Sequence, residues 1–221
     1  MKEYRKIDNV FKFDSKCNII GLNQPYNLLS DIDWIGTEKV DGTNVRVYWD
    51  GHKITLAGRT DKSQWQGDLY KLLSEKFLTD EMEYLFEQVF GEKEAYIFGE
   101  GYGPKIQKNG ELYSNEPSFI VFDVTIDGHE LNIEKVEDVA NQLGLEYVPI
   151  RFGGTLSEAI LFVKEHPFSY INFEHEMEGL VLTPRADLFD SKGHRIKCKL
   201  KWNDIRKIDF NTNITDMGEL K

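Results

Sequence analysis

The sequence predicts a mixed fold of β-hairpins and α-helices, and three observations carry that prediction. Val45, Val47 and Trp49 alternate with Asn44, Arg46 and Tyr48 up to Asp50-Gly51, and Ile54 and Leu56 continue beyond it. A period of two broken by Asp-Gly is a hairpin pattern. Leu69, Leu72, Leu73 and Phe77, then Met82, Leu85, Phe86 and Val89, recur at helical spacing across residues 66–90. Short apolar runs such as Ala95-Tyr96-Ile97-Phe98 end at glycine or at a carboxylate, as buried strands do.

The remaining elements follow in order. Phe11 and Phe13 alternate in a short strand, and Asn23-Gln24-Pro25 makes a turn. Asp80 with Glu83 offers a capping box for the second helix, which Gly91 ends. Ser118–Val124 is the next strand, and Asp127-Gly128 turns it back into Glu130–Ile133. Val136, Val139, Ala140 and Leu143 make a helix stopped at Gly144. Thr155 and Glu158 cap another that contains Ile160, Leu161 and Val163. Glu178 introduces a strand to Pro184. Residues 193–202 alternate last, with Ile196, Cys198, Leu200 and Trp202 on one side and Arg195, Lys197, Lys199 and Lys201 on the other.

Composition narrows the class. A chain of 221 residues makes one large domain or two small ones. No apolar run reaches the length of a membrane span, and Met1–Arg5 has no signal-like stretch. Cys17 and Cys198 are too few for a disulfide framework or a zinc site, which fits a reduced, cytoplasmic setting. A net charge of −11 argues against a wholly basic nucleic-acid binder. It also makes the basic run near the end informative, although a charged edge strand that resists aggregation has the same pattern.

Chemistry points to Thr37-Glu38-Lys39-Val40-Asp41-Gly42-Thr43-Asn44, which sets a lysine between carboxylates at the mouth of a strand. Lysine as a nucleophile needs desolvation or nearby cations, because an ordinary one, with a pKa of about 10.4, is almost wholly protonated at neutral pH. The basic run Arg195, Lys197, Lys199 and Lys201 is a source of such cations. Arg59, just after the first hairpin, reads as a solvated strand end or as a phosphate clamp. Glu100 sits where a strand breaks into a glycine-rich loop, but no Gly-Lys-Ser/Thr phosphate-loop ending is present. Phe119 and Phe122 read as core, or one of them as a stacking ring.

Taken together, residues 34–202 resemble the covalent nucleotidyltransferases, and within them the RNA ligase 2 branch of nick-sealing RNA ligases. The resemblance rests on ordered motifs: Glu38-Lys39-x-x-Gly42-Thr43-Asn44, Arg59-Thr60, Phe98-Gly99-Glu100, Gly103-Pro104-x-Ile106-Gln107-Lys108-Asn109, Val121-Phe122-Asp123, Glu178-Gly179-x-Val181-Leu182-x-Pro184 and Ile196-Lys197-Cys198-Lys199. It implies an α+β nucleotidyltransferase (ATP-grasp-like) domain: two antiparallel sheets with flanking helices and the nucleotide between the sheets. It implies a single domain over 1–221 with no C-terminal oligonucleotide-binding domain.

By the same resemblance, Lys39 attacks the α-phosphate of ATP and carries AMP. Glu38 lies at the adenine end. Asn44 and Arg59 contact phosphate or the nucleic-acid end, Glu100 binds the ribose, and Phe122 stacks on adenine. Glu178 helps place a divalent metal, Mg2+ or Mn2+, directly or through water, and Lys197 and Lys199 hold the α-phosphate. The partner implied is an RNA end or nicked RNA duplex, as in RNA repair, with a protein partner in place of the missing domain. Asp41 departs from the histidine that this branch can carry and matches DNA ligases, whereas Asn44 stands where the DNA ligase pattern has arginine. A DNA nick ligase and a non-catalytic nucleotide- or RNA-binding module are the competing expectations.

Overall fold

The computed structural model describes residues 1–61, 63, 65 and 67–208. Two compact units emerge, one of Met1–Arg5 with Val40–Val148, the other of Lys6–Lys39 with the chain from Pro149 on. The strands and helices, in chain order, are β1 (Asp8–Asn9), β2 (Phe11–Phe13), β3 (Ile19–Leu22), β4 (Trp34–Lys39), β5 (Thr43–Trp49), β6 (Ile54–Gly58), α1 (Gly67–Phe77), α2 (Asp80–Phe90), β7 (Ala95–Tyr102), β8 (Ser118–Ile126), β9 (His129–Glu130), α3 (Ile133–Gln142), β10 (Ile150–Gly154), α4 (Leu156–Glu165), β11 (Gly179–Pro184), β12 (Cys198–Lys201) and α5 (Trp202–Ile205).

In the first unit β6, β5, β7, β8 and β9 form one antiparallel sheet. Its apolar face carries Val45, Val47, Trp49, Ile97, Val121 and Val124, packed with Leu69, Leu73, Phe77, Phe86, Val136 and Ala140 of the three helices. Alternation therefore puts Asn44, Arg46, Phe98 and Glu100 on the other face. In the second unit the order is β1-β12-β11-β4-β10. Trp34, Leu180, Leu182, Cys198 and Leu200 form its core with Leu156, Ala159, Ile160 and Val163 of α4. This sheet is antiparallel except at its edge, where β1 runs parallel to β12.

Most sequence expectations hold, and the departures have local causes. The hairpin turns at Asp50-Gly51, and α4 carries a full Thr155–Glu158 capping box. The 66–90 stretch forms two helices, as expected, and Gln66 lies outside the described residues. The cap of α2 is Thr79, whose hydroxyl accepts from the Met82 backbone N–H, so Asp80 is already helical. The strand expected over Glu130–Ile133 stops at Glu130, because the Asn132 side chain accepts from the Lys135 N–H and starts α3. The final strand begins only at Cys198 and gives way at Trp202 to a short helix. Among the described residues no helix is long and apolar enough to cross a membrane.

Candidate active site

Strand register builds the lysine site in the second unit. Gly179 of β11 is opposite Lys39 of β4 on one side and Lys201 of β12 on the other. Because Leu180, Cys198 and Leu200 face the core, Lys39, Lys199 and Lys201 project from the other face of the same sheet. Glu178, one residue before β11, spans the row. Its Oε2 accepts from Lys39 Nζ at 2.5 Å and its Oε1 from Lys201 Nζ at 2.8 Å. Main chain fixes it as well, since the Trp202 N–H donates to the Glu178 carbonyl at 2.9 Å. Glycine is required at 179: φ is +147°, and a Cβ there would lie 2.0 Å from the Leu200 carbonyl oxygen.

Charge follows this geometry. Burial by itself would raise the Glu178 carboxyl, but Lys39 and Lys201 outweigh it and hold the group below the usual carboxylate range. The Lys199 ammonium is disfavoured first by burial and then by Lys201, Lys39 and Lys6, so it titrates below an ordinary lysine. Lys197 lies before β12 and is buried, and its carbonyl accepts from the Tyr26 hydroxyl at 3.0 Å. Arg195, read with the lysines as one basic face, instead pairs with Asp187 at 2.7 Å and covers the ring of Phe189.

Glu38, expected at the adenine end, sits in a buried hydrogen-bond network. Alternation along β4 turns it to the face opposite Lys39, where it is 1% exposed. There its carboxylate accepts from Arg151 Nη1 at 3.0 Å, from the Ser169 hydroxyl and from the Tyr170 N–H at 2.8 Å. The Arg151 guanidinium lies over the Tyr170 ring, 3.3 Å from its centroid. A buried carboxylate with this many donors is committed to the fold.

The other expected site residues belong to the first unit. Asn44 and Glu100 are cross-strand partners on β5 and β7. The Asn44 Oδ1 is buried without a hydrogen-bond partner among the described residues, an unusual cost. Phe122 is the extra residue of a β-bulge, since Phe98 pairs with Asp123 but Gly99 with Val121. Alternation from Phe119 and Val121, which lie in the core, turns the Phe122 ring to the other face, and the bulge returns Val124 to the core. Tyr4 packs on Phe98 at 4.9 Å and edge-on to Phe122 at 5.0 Å, and its hydroxyl donates to Asp123 at 3.0 Å. Arg59 is exposed just past β6. Its loop is tethered by fully buried Arg46, which donates to the Gly58 carbonyl at 2.6 Å, to the Lys2 carbonyl at 2.9 Å and to Asp61 at 2.8 Å. Asn109 donates to Asp41 at 3.0 Å, joining two of the quoted motifs.

Arg46, Arg151, Ser169, Tyr4 and the role of Lys201 escaped the sequence reading. Only Arg46 and Lys201 carried a signal there, as charges on alternating runs. Among the described residues no three His, Cys, Asp or Glu side chains are grouped to hold a metal.

A family model described as RNA ligase matches residues 32–199. Similar solved structures include a lysine-to-methionine mutant of the Naegleria gruberi RNA ligase with AMP and Mn, at TM-score 0.61 and 17% identity over 91% of this chain and 63% of that one. A lysine-to-alanine mutant with ATP and Mn gives 0.62 and 16% over 94% and 65%. The same ligase with PPi gives 0.61 and 17% over 96% and 65%. At these identities the likeness is one of fold, and the chain spans less than two thirds of the length of those proteins. With the family match running through both the lysine strand and the Glu178 strand, the chain belongs to the RNA ligase family.

Proposed function

We propose that this protein is an ATP-dependent RNA ligase that carries AMP on Lys39. The observation that supports it most is the row Lys39–Glu178–Lys201 with Lys199 on the same sheet face, a primary amine beside a carboxylate and further cations. The Naegleria ligase structures with ATP, AMP or PPi support the same substrate.

In the first step Lys39 Nζ sheds a proton and attacks the α-phosphorus of ATP. An N–P bond forms, the P–O bond to pyrophosphate breaks, and pyrophosphate leaves with the electron pair. A second proton leaves the nitrogen, so the product is a neutral-nitrogen phosphoramidate. A 5′-phosphate of RNA then takes the AMP, and a 3′-hydroxyl displaces AMP to form the phosphodiester. Lys199 meets charge developing on the phosphate, with Lys197 closer to the interior. Glu100 takes the ribose and Phe122 the adenine face. Asn44, through its side-chain NH2 as donor, and the tethered Arg59 serve the phosphate or the RNA end. Glu38 acts from below the strand, by fixing the backbone that presents Lys39.

A divalent cation fits as one arriving with the triphosphate. Glu178 offers a carboxylate on the lysine face, and the described residues hold no cluster that would form a cage of their own. Such a cation would supply charge stabilisation at the phosphates, and the Naegleria ligase is solved with Mn alongside AMP or ATP.

The test is incubation with a divalent metal and α-labelled ATP, followed by denaturing electrophoresis. Label that survives denaturation and is absent from Lys39→Ala supports the reading. Sealing assays on all-RNA and all-DNA nicks then fix the polynucleotide. Joining of DNA nicks alone would overturn the RNA assignment, and ATP binding without covalent label would favour a binding module.

A further inference from the structure

Lys201 lies two residues beyond the end of the family match. The geometry points to Lys201 as a positioning residue for the lysine nucleophile: it shares the Glu178 carboxylate with Lys39 and keeps that carboxylate in place when Lys39 leaves it for phosphorus. This rests on the proposed chemistry at Lys39.

Two features of the sheet carry it. First, the pairing is built into the register. Lys39 and Lys201 stand opposite the same residue, Gly179, from the two strands that flank β11, and each takes a different oxygen of Glu178. The Trp202 N–H bond to the Glu178 carbonyl and the close approach of Gly179 to the Leu200 carbonyl lock β12 against the start of β11. Lys201 therefore leaves the backbone beside its carboxylate.

Second, the reaction changes the charge count. Lys39 begins as an ammonium on Glu178 and ends as an uncharged phosphoramidate nitrogen, so the partly buried carboxylate loses one positive neighbour. Lys201 takes no part in the new bond and keeps its charge at Glu178. Without it, Glu178 loses the ammonium on its Oε1, the contact that opposes its pull on Lys39 across the strand. The lysines stand within electrostatic reach of one another, since Lys201 and Lys39 both act on Lys199. The Lys201 side chain is about one third exposed, so its replacement leaves the core intact.

Single-turnover labelling with α-labelled ATP, across a range of ATP concentrations, tests this on wild type, Lys201→Met and Lys201→Arg. Lys201→Met should lower the maximal rate roughly ten- to a hundredfold, with half-saturating ATP changed by less than about threefold. Lys201→Arg, which still reaches the carboxylate, should recover most of that loss. A thermal-unfolding cycle of Lys201→Met with Glu178→Gln should show non-additive shifts, a readout independent of catalysis. A wild-type rate in Lys201→Met, a loss confined to ATP affinity, no recovery in Lys201→Arg, or additive melting shifts would each overturn the assignment. If the wild-type protein itself takes no label, the ligase reading falls and takes this role with it. If the wild type labels and Lys201→Met labels equally, Lys201 alone is misassigned.

Discussion

Glu38 and Lys39 are adjacent in sequence and opposite in task. One faces the interior, where Arg151 balances its charge and two neutral donors complete its hydrogen bonds, and the other faces outward beside Glu178. Cutting the inner network should be costly. Arg151→Leu leaves Glu38 buried without its ion-pair partner, and a loss of about 3–5 kcal/mol is expected in denaturant unfolding. Ser169→Ala removes one neutral donor and should cost about 1–2 kcal/mol. Lys39→Ala leaves Lys201 on the Glu178 carboxylate, so it should abolish labelling while lowering stability by much less than Arg151→Leu does. Unfolding of that variant at ordinary temperature would mean that Lys39 is structural. The lysine was legible because a short motif frames it. Arg151 and Ser169 were not, because they lie more than a hundred residues away and nothing local marks either as the partner of Glu38.

At the scale of elements, local chemistry was readable and register was not. The Asp50-Gly51 hairpin, the helix ended by Gly91 and the capping box of α4 all depend on contacts within a few residues. The late start of β12, the bulge at Phe122 and strand β10 depend on which distant strand lies alongside. Gly179 shows how strict that apposition is. Gly179→Ala places a methyl against the Leu200 carbonyl at a φ that side chains rarely adopt, so β11 and β12 should part at this end. The expected result is a loss of about 3 kcal/mol or more in unfolding together with loss of labelling. Normal stability in that variant would mean that the two strands can slide apart without harm.

Across the whole molecule, the first five residues act at a distance from their place in the chain. Tyr4 is half-buried against Phe98 and Phe122 with its hydroxyl on Asp123, and desolvation of that hydroxyl first, then Asp123, pushes its ionisation well above the ordinary tyrosine value. A raised folded value means that the protonated hydroxyl contributes stability that is full below the unfolded tyrosine value, about 10. That contribution is lost as pH rises toward the folded value. Wild type should therefore lose stability from about pH 10 upward, and Tyr4→Phe should lose less over the same window. Parallel curves for the two proteins would remove Tyr4 as the cause. The division into units has a further consequence in the order of synthesis. Residues 1–5 and 40–148 complete the first unit while β10, β11 and β12 are still unmade. On a ribosome, Lys39 emerges early and waits some 139 residues for Glu178, as their separation in sequence dictates. A nascent chain halted at Val148 should already protect the amides of Val47, Ile97 and Val124 from hydrogen exchange while those of β4 exchange freely. Glu178 and Lys201 join Lys39 only once β11 and β12 have been made, so a chain stopped before them leaves that lysine without its carboxylate.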